Sequence, residues 1–254
     1  MTFKLFLFFG GLMYKIHHLK KSYGNRSVLN GINCQFPNNG VVILVGTNGC
    51  GKTTFMNVLT EMTSFMSGKI FCNQFAIGSR EYKEQIFYIP SDFYLPEFMT
   101  GREYLDFILK RYKTSDFNNI EILLEVFDLK GFENELLEKY SFGMKKKIQI
   151  IAAFCSGTPY ILADELFSGL DFDTVILLED IIEYQKNKKC FIIVSHDRNT
   201  LERFPNHIYI MSKGKLLSYK ERNMSVSDII RQMGGISGKI SKLQERFGND
   251  SSLP

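Results

Sequence analysis

The nine residues Gly46-Thr-Asn-Gly-Cys-Gly-Lys-Thr-Thr54 follow the apolar run Val41-Val-Ile-Leu-Val45 without a break. A short, continuously apolar, β-branched run reads as a buried parallel strand. The glycine-rich stretch after it fits Gly-x-x-x-x-Gly-Lys-Thr, the pattern of a phosphate-cradling loop that opens a helix. In such a loop the backbone N–H groups of Gly46, Thr47, Asn48, Gly49, Cys50 and Gly51 turn inward onto phosphates. Lys52 reaches the β and γ phosphates, Thr53 offers its hydroxyl to Mg²⁺, and Thr54 supports it. A chance match in a chain of this length is about 1 %, and the flanking strand and helix lower it further. Cys50 stands at the helix start, where the dipole is expected to lower a thiol pKa.

Two further runs have the same character: Tyr160-Ile-Leu-Ala163, ending in Asp164-Glu165, and Phe191-Ile-Ile-Val194, ending in Ser195-His196. Open α/β sheets bind ligands beyond the carboxyl ends of their strands, so the three polar clusters are expected to converge on one site. There Asp164 would hold Mg²⁺ through water, Glu165 would orient and polarise an attacking water, and His196 would reach the γ phosphate.

Around this core, Lys15 to Lys20 and Val28 to Phe36 read as antiparallel strands about a turn at Gly24-Asn25. Residues 100 to 155 read as helical. Thr100-Gly-Arg-Glu103 is a capping box ahead of Tyr104, Leu105, Ile108 and Leu109, and helical spacing continues through Ile120 to Phe127 and Met144 to Cys155. Lys145, Lys146 and Lys147 read as one solvated helix face. Near the end, Ile236, Ile240, Leu243 and Phe247 have the spacing of an amphipathic helix.

Composition closes off other classes. A net charge of +4, from 31 basic and 27 acidic residues, is far from a nucleic-acid-binding balance. Five scattered cysteines with no C-x-x-C pair argue against a disulfide framework or a zinc site and fit a reducing cytoplasm. Leu5 to Met13 is apolar but far shorter than the ~20 residues a spanning helix needs. Residues 1–12 are therefore expected to be a loose extension, or Met13 the true start, in preference to a membrane-surface anchor.

Taken together these residues resemble the ATP-binding cassette (ABC) family. Tyr140-Ser-Phe-Gly-Met-Lys-Lys-Lys147 is similar to the family signature Leu-Ser-Gly-Gly-Gln, matching it at Ser141 and Gly143 and departing at Tyr140, Phe142 and Met144. The resemblance implies a P-loop NTPase fold of ABC ATPase type: a mainly parallel α/β sheet, an antiparallel β layer and an inserted helical lobe. The implied domain covers residues 13–219, with the lobe at about 93–155 and a helical tail over 220–254. It also implies that Tyr23 stacks on adenine and that Ser141 and Gly143 contact nucleotide held by an opposite subunit. Asp171 of Ser168-Gly-Leu-Asp171 would cross that interface. Ser91 stands where the family usually has a glutamine that touches Mg²⁺, and Asp92 beside it is an alternative donor. The implied activity is ATP hydrolysis with Mg²⁺, in a homodimer or heterodimer at the cytoplasmic side of the cell membrane. It would drive transport through a separate transmembrane permease subunit docked near Ser91 to Thr100. Likeness to exporter ATPases for antibiotics, peptides or bacteriocins narrows the cargo. The alternatives are a non-transport ABC ATPase acting on ribosomes or nucleic acid, and another P-loop NTPase. A guanine-type Asn-Lys-x-Asp motif is missing, and no nucleic-acid partner is expected.

Overall fold

The computed structural model describes residues 13–92, 95–219, 225, 228, 241–243 and 246. The proposed extension 1–12, and Ile236, Ile240 and Phe247 of the proposed tail helix, lie outside the described residues. In chain order the elements are β1 Tyr14–Tyr23, β2 Arg26–Phe36, β3 Gly40–Val45, α1 Lys52–Leu59, β4 Ser67–Cys72, β5 Phe75–Ala76, α2 Arg80–Lys83 and β6 Ile86–Ile89. They continue with α3 Gly101–Leu109, α4 Ile120–Val126, α5 Phe142–Cys155, β7 Tyr160–Asp164, α6 Phe172–Gln185, β8 Cys190–Val194, α7 Arg198–Arg203, β9 His207–Ser212 and β10 Lys215–Ser218.

Two sheets result. β2-β1-β4-β5 is antiparallel, and its leading hairpin turns at Gly24-Asn25, where Tyr23 pairs with Arg26. The second sheet runs β10-β9-β3-β8-β7-β6; all its pairings are parallel except the β9–β10 edge. β3 lies between β8 and β9: the chain returns to this sheet at the edge strand β6, steps back through β7 to β8, and then crosses to β9 on the other side of β3, so a crevice opens at the strands' carboxyl ends.

β3 shows why its sequence is apolar without alternation. Val41, Ile43 and Val45 face a core built with Tyr104, Leu105, Ile120, Leu124, Ile148 and Leu178, so the helical lobe and α6 cover one side. Val42 and Leu44 face the opposite core with Phe55, Met56, Leu59, Tyr14 and Ile16, where α1 and the antiparallel sheet cover the other. A strand buried on both faces has no polar positions to spare.

The lobe forms where the capping signals place it. Thr100 accepts from the Glu103 backbone N–H at 3.1 Å while the Glu103 carboxylate accepts from the Thr100 N–H at 2.8 Å. The three lysines do not share a solvated face. Consecutive helical residues point about 100° apart, so three in a row cannot. Lys146 has no exposed surface, and Lys145 and Lys147 are mostly covered and paired with Glu97 and Asp171.

Candidate nucleotide-binding site

β3 delivers the chain into the glycine-rich loop, and its tightness is imposed by what lies behind it. A Cβ on Gly46 would collide with the Met211 carbonyl oxygen of β9 and sit 2.8 Å from the Cys50 Sγ. Cys50 donates its N–H to Thr47 O at 3.2 Å, closing the loop. Gly51, with φ 112°, then caps α1 without any side-chain hydrogen bond, so the first N–H groups of α1 are not consumed by a cap. Lys52 is nearly buried and folds across the loop, its ammonium donating to Gly46 O at 2.8 Å and Thr47 O at 3.2 Å.

The other two strand ends arrive beside it. Asp164, the last residue of β7, is buried and accepts from the Thr53 hydroxyl at 2.7 Å. Glu165 follows with φ 52°, left-handed backbone that is strained for a side chain bearing a Cβ. Its N–H donates to Val194 O of β8 at 3.1 Å, so the neighbouring strand holds the turn. The His196 Nε2 lies 3.4 Å from the Glu165 Oε1, both side chains remaining partly exposed.

These groups line one cleft of about 490 Å³ with Tyr23, Arg26, Val28, Asn48, Gly49, Gly51, Thr54 and Ser91. Tyr23 is half exposed at the tip of β1, with the Lys21 ammonium 4.7 Å from its ring centroid. The structure thus brings Tyr23, Asn48, Gly49, Gly51, Lys52, Thr53, Thr54, Ser91, Asp164, Glu165 and His196 together. Gly46, Thr47 and Cys50 form the loop behind the lining. Asp92 is exposed and does not line the cleft.

Ser141 and Gly143 do not line it either. Ser141 caps α5, accepting from the Met144 N–H at 3.2 Å. This end of α5 adjoins Ser168–Asp171: a Cβ on Gly143 would lie 3.1 Å from Gly169 O, and one on Gly169, at φ 77°, would run into the Phe142 ring. Phe142, in place of a small residue, is half exposed on that edge. Asp171 caps α6; hydrogen bonds from Thr174, then the Lys147 charge, hold its carboxyl down at about 2.

Two features depart from sequence reasoning. The Cys50 thiol is raised, not lowered: burial outweighs the Lys52 ammonium, whose Nζ is 4.0 Å away, because the sulfur turns back onto Gly46. Arg26 is a cleft residue that motif matching missed. Its signal was its place across the hairpin turn from Tyr23, which sets its guanidinium 4.0 Å from where a Gly49 Cβ would be.

A second cleft, of about 350 Å³, lies between the end of α1, α2 and the lobe, lined by Thr60, Met62, Tyr82, Tyr88, Tyr104 and Arg111 among others. Among the described residues no helix is long and apolar enough to cross a membrane.

Comparison with known proteins decides the family. The family model described as "ABC transporter" matches residues 29–168, more than half of the chain. The chain belongs to the ABC transporter family. It is 30 % identical over 210 residues to the lantibiotic transport ATP-binding protein SrtF of Streptococcus pyogenes, covering 82 % of this chain and 91 % of that one. It is also 29 % identical over 217 residues to the carnitine transport ATP-binding protein OpuCA of Listeria monocytogenes, covering 82 % of this chain and 55 % of OpuCA. A solved structure described as the ATP-binding subunit of an ABC transporter superposes with TM-score 0.79 at 25 % identity, covering 88 % of this chain and 99 % of that chain. As an ABC ATP-binding protein the chain binds and hydrolyses ATP, and the observed pair of sheets with its helical lobe is the ABC ATPase fold.

Proposed function

We propose that this ABC protein powers a transporter whose pore is a separate transmembrane subunit, and that two ATP-binding chains work head to tail at the cytoplasmic face of the membrane. One observation carries this. The cleft gathers Tyr23, the phosphate loop and the three strand ends, while Ser141 and Gly143 stand outside its lining. A second chain is what brings an anion-attracting helix start onto the nucleotide.

In this scheme Tyr23 stacks on adenine, the N–H groups of Gly46 to Thr54 cradle phosphates, and Lys52 swings from the loop carbonyls onto the β and γ phosphates. The Thr53 hydroxyl, the Asp164 carboxylate and Ser91 are oxygen donors of the kind Mg²⁺ takes when nucleotide phosphates complete its shell, and the 2.7 Å Thr53–Asp164 contact already holds two of them together. Bound there, Mg²⁺ neutralises charge on the phosphates. Glu165 orients the attacking water and takes its proton, and His196 beside it reaches the γ phosphate. Ser141 and Gly143 are supplied by the second chain, homologous or identical, with Asp171 at the seam.

The permease would dock on the lobe near Ser91 to Thr100, and the second cleft, walled in part by Tyr104, Ile108, Arg111 and Tyr112 of the lobe, supports a docking surface on that lobe. For cargo we propose export of an antibiotic, peptide or bacteriocin. SrtF, matched over nine-tenths of its length, supports that narrower step.

Glu165→Gln is expected to trap an ATP-bound dimer and Lys52→Ala to abolish nucleotide binding. Sizing chromatography with saturating Mg-ATP reads both. Glu165→Gln that elutes as a monomer and brings no second ATP-binding chain with it refutes the sandwich. Detergent copurification tests the pore subunit: recovering ribosomes or DNA and no integral membrane protein refutes transport.

A further inference from the structure

Among the described residues, Lys146 is the one lysine, arginine, aspartate or glutamate with no exposed surface at all. It projects from the first half of α5, and its Nζ donates to Pro90 O at 3.3 Å, the carbonyl immediately before the cleft residue Ser91. β6 runs parallel to β7 with Ile89 beside Ala163, so Pro90 and Asp164 are the next residues of neighbouring strands. Burial lowers the Lys146 ammonium to about 8, and the negative charges of Asp164, Glu165 and Asp92 oppose that fall. An ammonium is expensive to enclose, and evolution of a neutral side chain here would have avoided that cost. Its neighbours explain its place: in the cleft wall, Asp164 and Glu165 put adjacent negative charge where a polyanionic nucleotide must come. Lys52 and Arg26 answer that charge from within the cleft, and Lys146, enclosed and held on Pro90 O next to the cleft residue Ser91, is a cation outside its lining.

We infer that Lys146 is a built-in counter-cation for the Asp164–Glu165 pair, a positioning residue that lets the nucleoside triphosphate enter before Mg²⁺ is in place. It touches neither nucleotide nor water. At neutral pH its positive charge offsets the acid pair while the metal is absent, and it competes with the metal once Mg²⁺ arrives. Replacing it with a neutral side chain therefore weakens metal-free nucleotide binding and strengthens the hold on Mg²⁺, moving the two affinities in opposite directions.

The inference rests on the cleft being the nucleotide site, and one experiment separates the two. A fluorescent ATP analogue is titrated at pH 7.0 and low salt into the wild-type chain, Lys146→Gln, Lys146→Met and Lys146→Arg, once with EDTA and once with saturating Mg²⁺. Wild-type protein failing to bind under either condition refutes the nucleotide site itself. With wild-type binding established, the ratio of the dissociation constant in EDTA to that in Mg²⁺ is expected to rise about fivefold in Lys146→Gln and Lys146→Met, and to return toward wild type in Lys146→Arg. A purely structural lysine would weaken both conditions equally. That result, or an unchanged ratio in either neutral variant, overturns the inference. Lys146→Met, which needs no hydrogen-bond partner, keeps the test available should Lys146→Gln unfold, and thermal melts of all four chains show which are folded.

Discussion

Glu165 combines a proposed catalytic carboxylate with a backbone that resists carrying any side chain, and the two can be separated by mutation. Its φ of 52° places a Cβ against the following carbonyl, a cost of roughly 1–2 kcal/mol for an L-residue. Glu165→Ala and Glu165→Gly both delete the carboxylate and its 3.4 Å contact with His196, so those losses cancel between them. What remains is the strain that alanine keeps and glycine sheds, set against the roughly 0.5–1 kcal/mol of chain entropy that glycine costs on folding. The balance favours Glu165→Gly by about 0.5–1 kcal/mol. For a chain of this size each kcal/mol moves the melting temperature by about 2–4 °C, so Glu165→Gly is expected to melt about 1–4 °C above Glu165→Ala in EDTA without nucleotide. Differential scanning calorimetry reads the difference, and urea titration checks it free of scan-rate effects. Both variants should be inactive in ATP hydrolysis. A Glu165→Ala chain melting at or above Glu165→Gly would show that the turn after β7 holds no strain, and that φ here is set by nothing more than sequence.

Three further outcomes follow from local geometry. Thr100→Ala removes one half of the reciprocal cap on α3 and should cost about 1 kcal/mol, with the Glu103 amide exchanging its hydrogen faster than in wild type. Gly101→Ala drives a Cβ into the Tyr140 hydroxyl, itself donating to Phe132 O at 2.8 Å, and should cost roughly 1–3 kcal/mol; a smaller loss when Tyr140→Phe is made in the same chain is the signature of that contact in a double-mutant cycle. Because burial raises the Cys50 thiol, little thiolate is present at neutral pH. Alkylation at Cys50 should therefore run slower at pH 7.5 than in a free cysteine peptide and accelerate as pH climbs past the ordinary thiol range; mass spectrometry of a timed labelling series measures it.

The core strands and the phosphate loop are legible in the sequence because their constraints are local. A strand buried on both faces must be apolar at every position, and a loop pressed against Met211 must have glycine at position 46. The convergence of Lys52, Asp164, Glu165 and His196 is legible too, since parallel strands share one carboxyl edge. What the sequence hides depends on side-chain direction. Cys50 stands at a helix start, yet its sulfur turns back toward Gly46, and burial then governs where the dipole was expected to. Arg26 belongs to no motif and reaches the cleft only through the hairpin register with Tyr23. Lys145, Lys146 and Lys147 look alike in the chain, and only the packing of α5 sorts them.

That sorting bears on how the lobe communicates with the cleft. The three lysines fan out from one turn of α5 to separate segments: Lys145 to Glu97 at 2.9 Å, Lys146 to Pro90 O at 3.3 Å and Lys147 to Asp171 at 3.3 Å. Glu97 and Pro90 lie on the connection from β6 into the lobe, and Asp171 caps α6. The two outer pairs join well-covered lysines to carboxylates that are more than half exposed, and such pairs are worth about 0–1 kcal/mol each. They can exchange partners as the lobe shifts. The Lys146 contact cannot be given up so cheaply, because an enclosed ammonium without its carbonyl and carboxylates costs several kcal/mol. Movement of α5 that leaves Pro90 behind is therefore disfavoured, and movement that carries residues 90–92 along is not. A displacement of the lobe by a docked partner would thus reach Ser91 at the cleft wall through Lys146, while the Ser141 end of the same helix moves with it toward a facing chain.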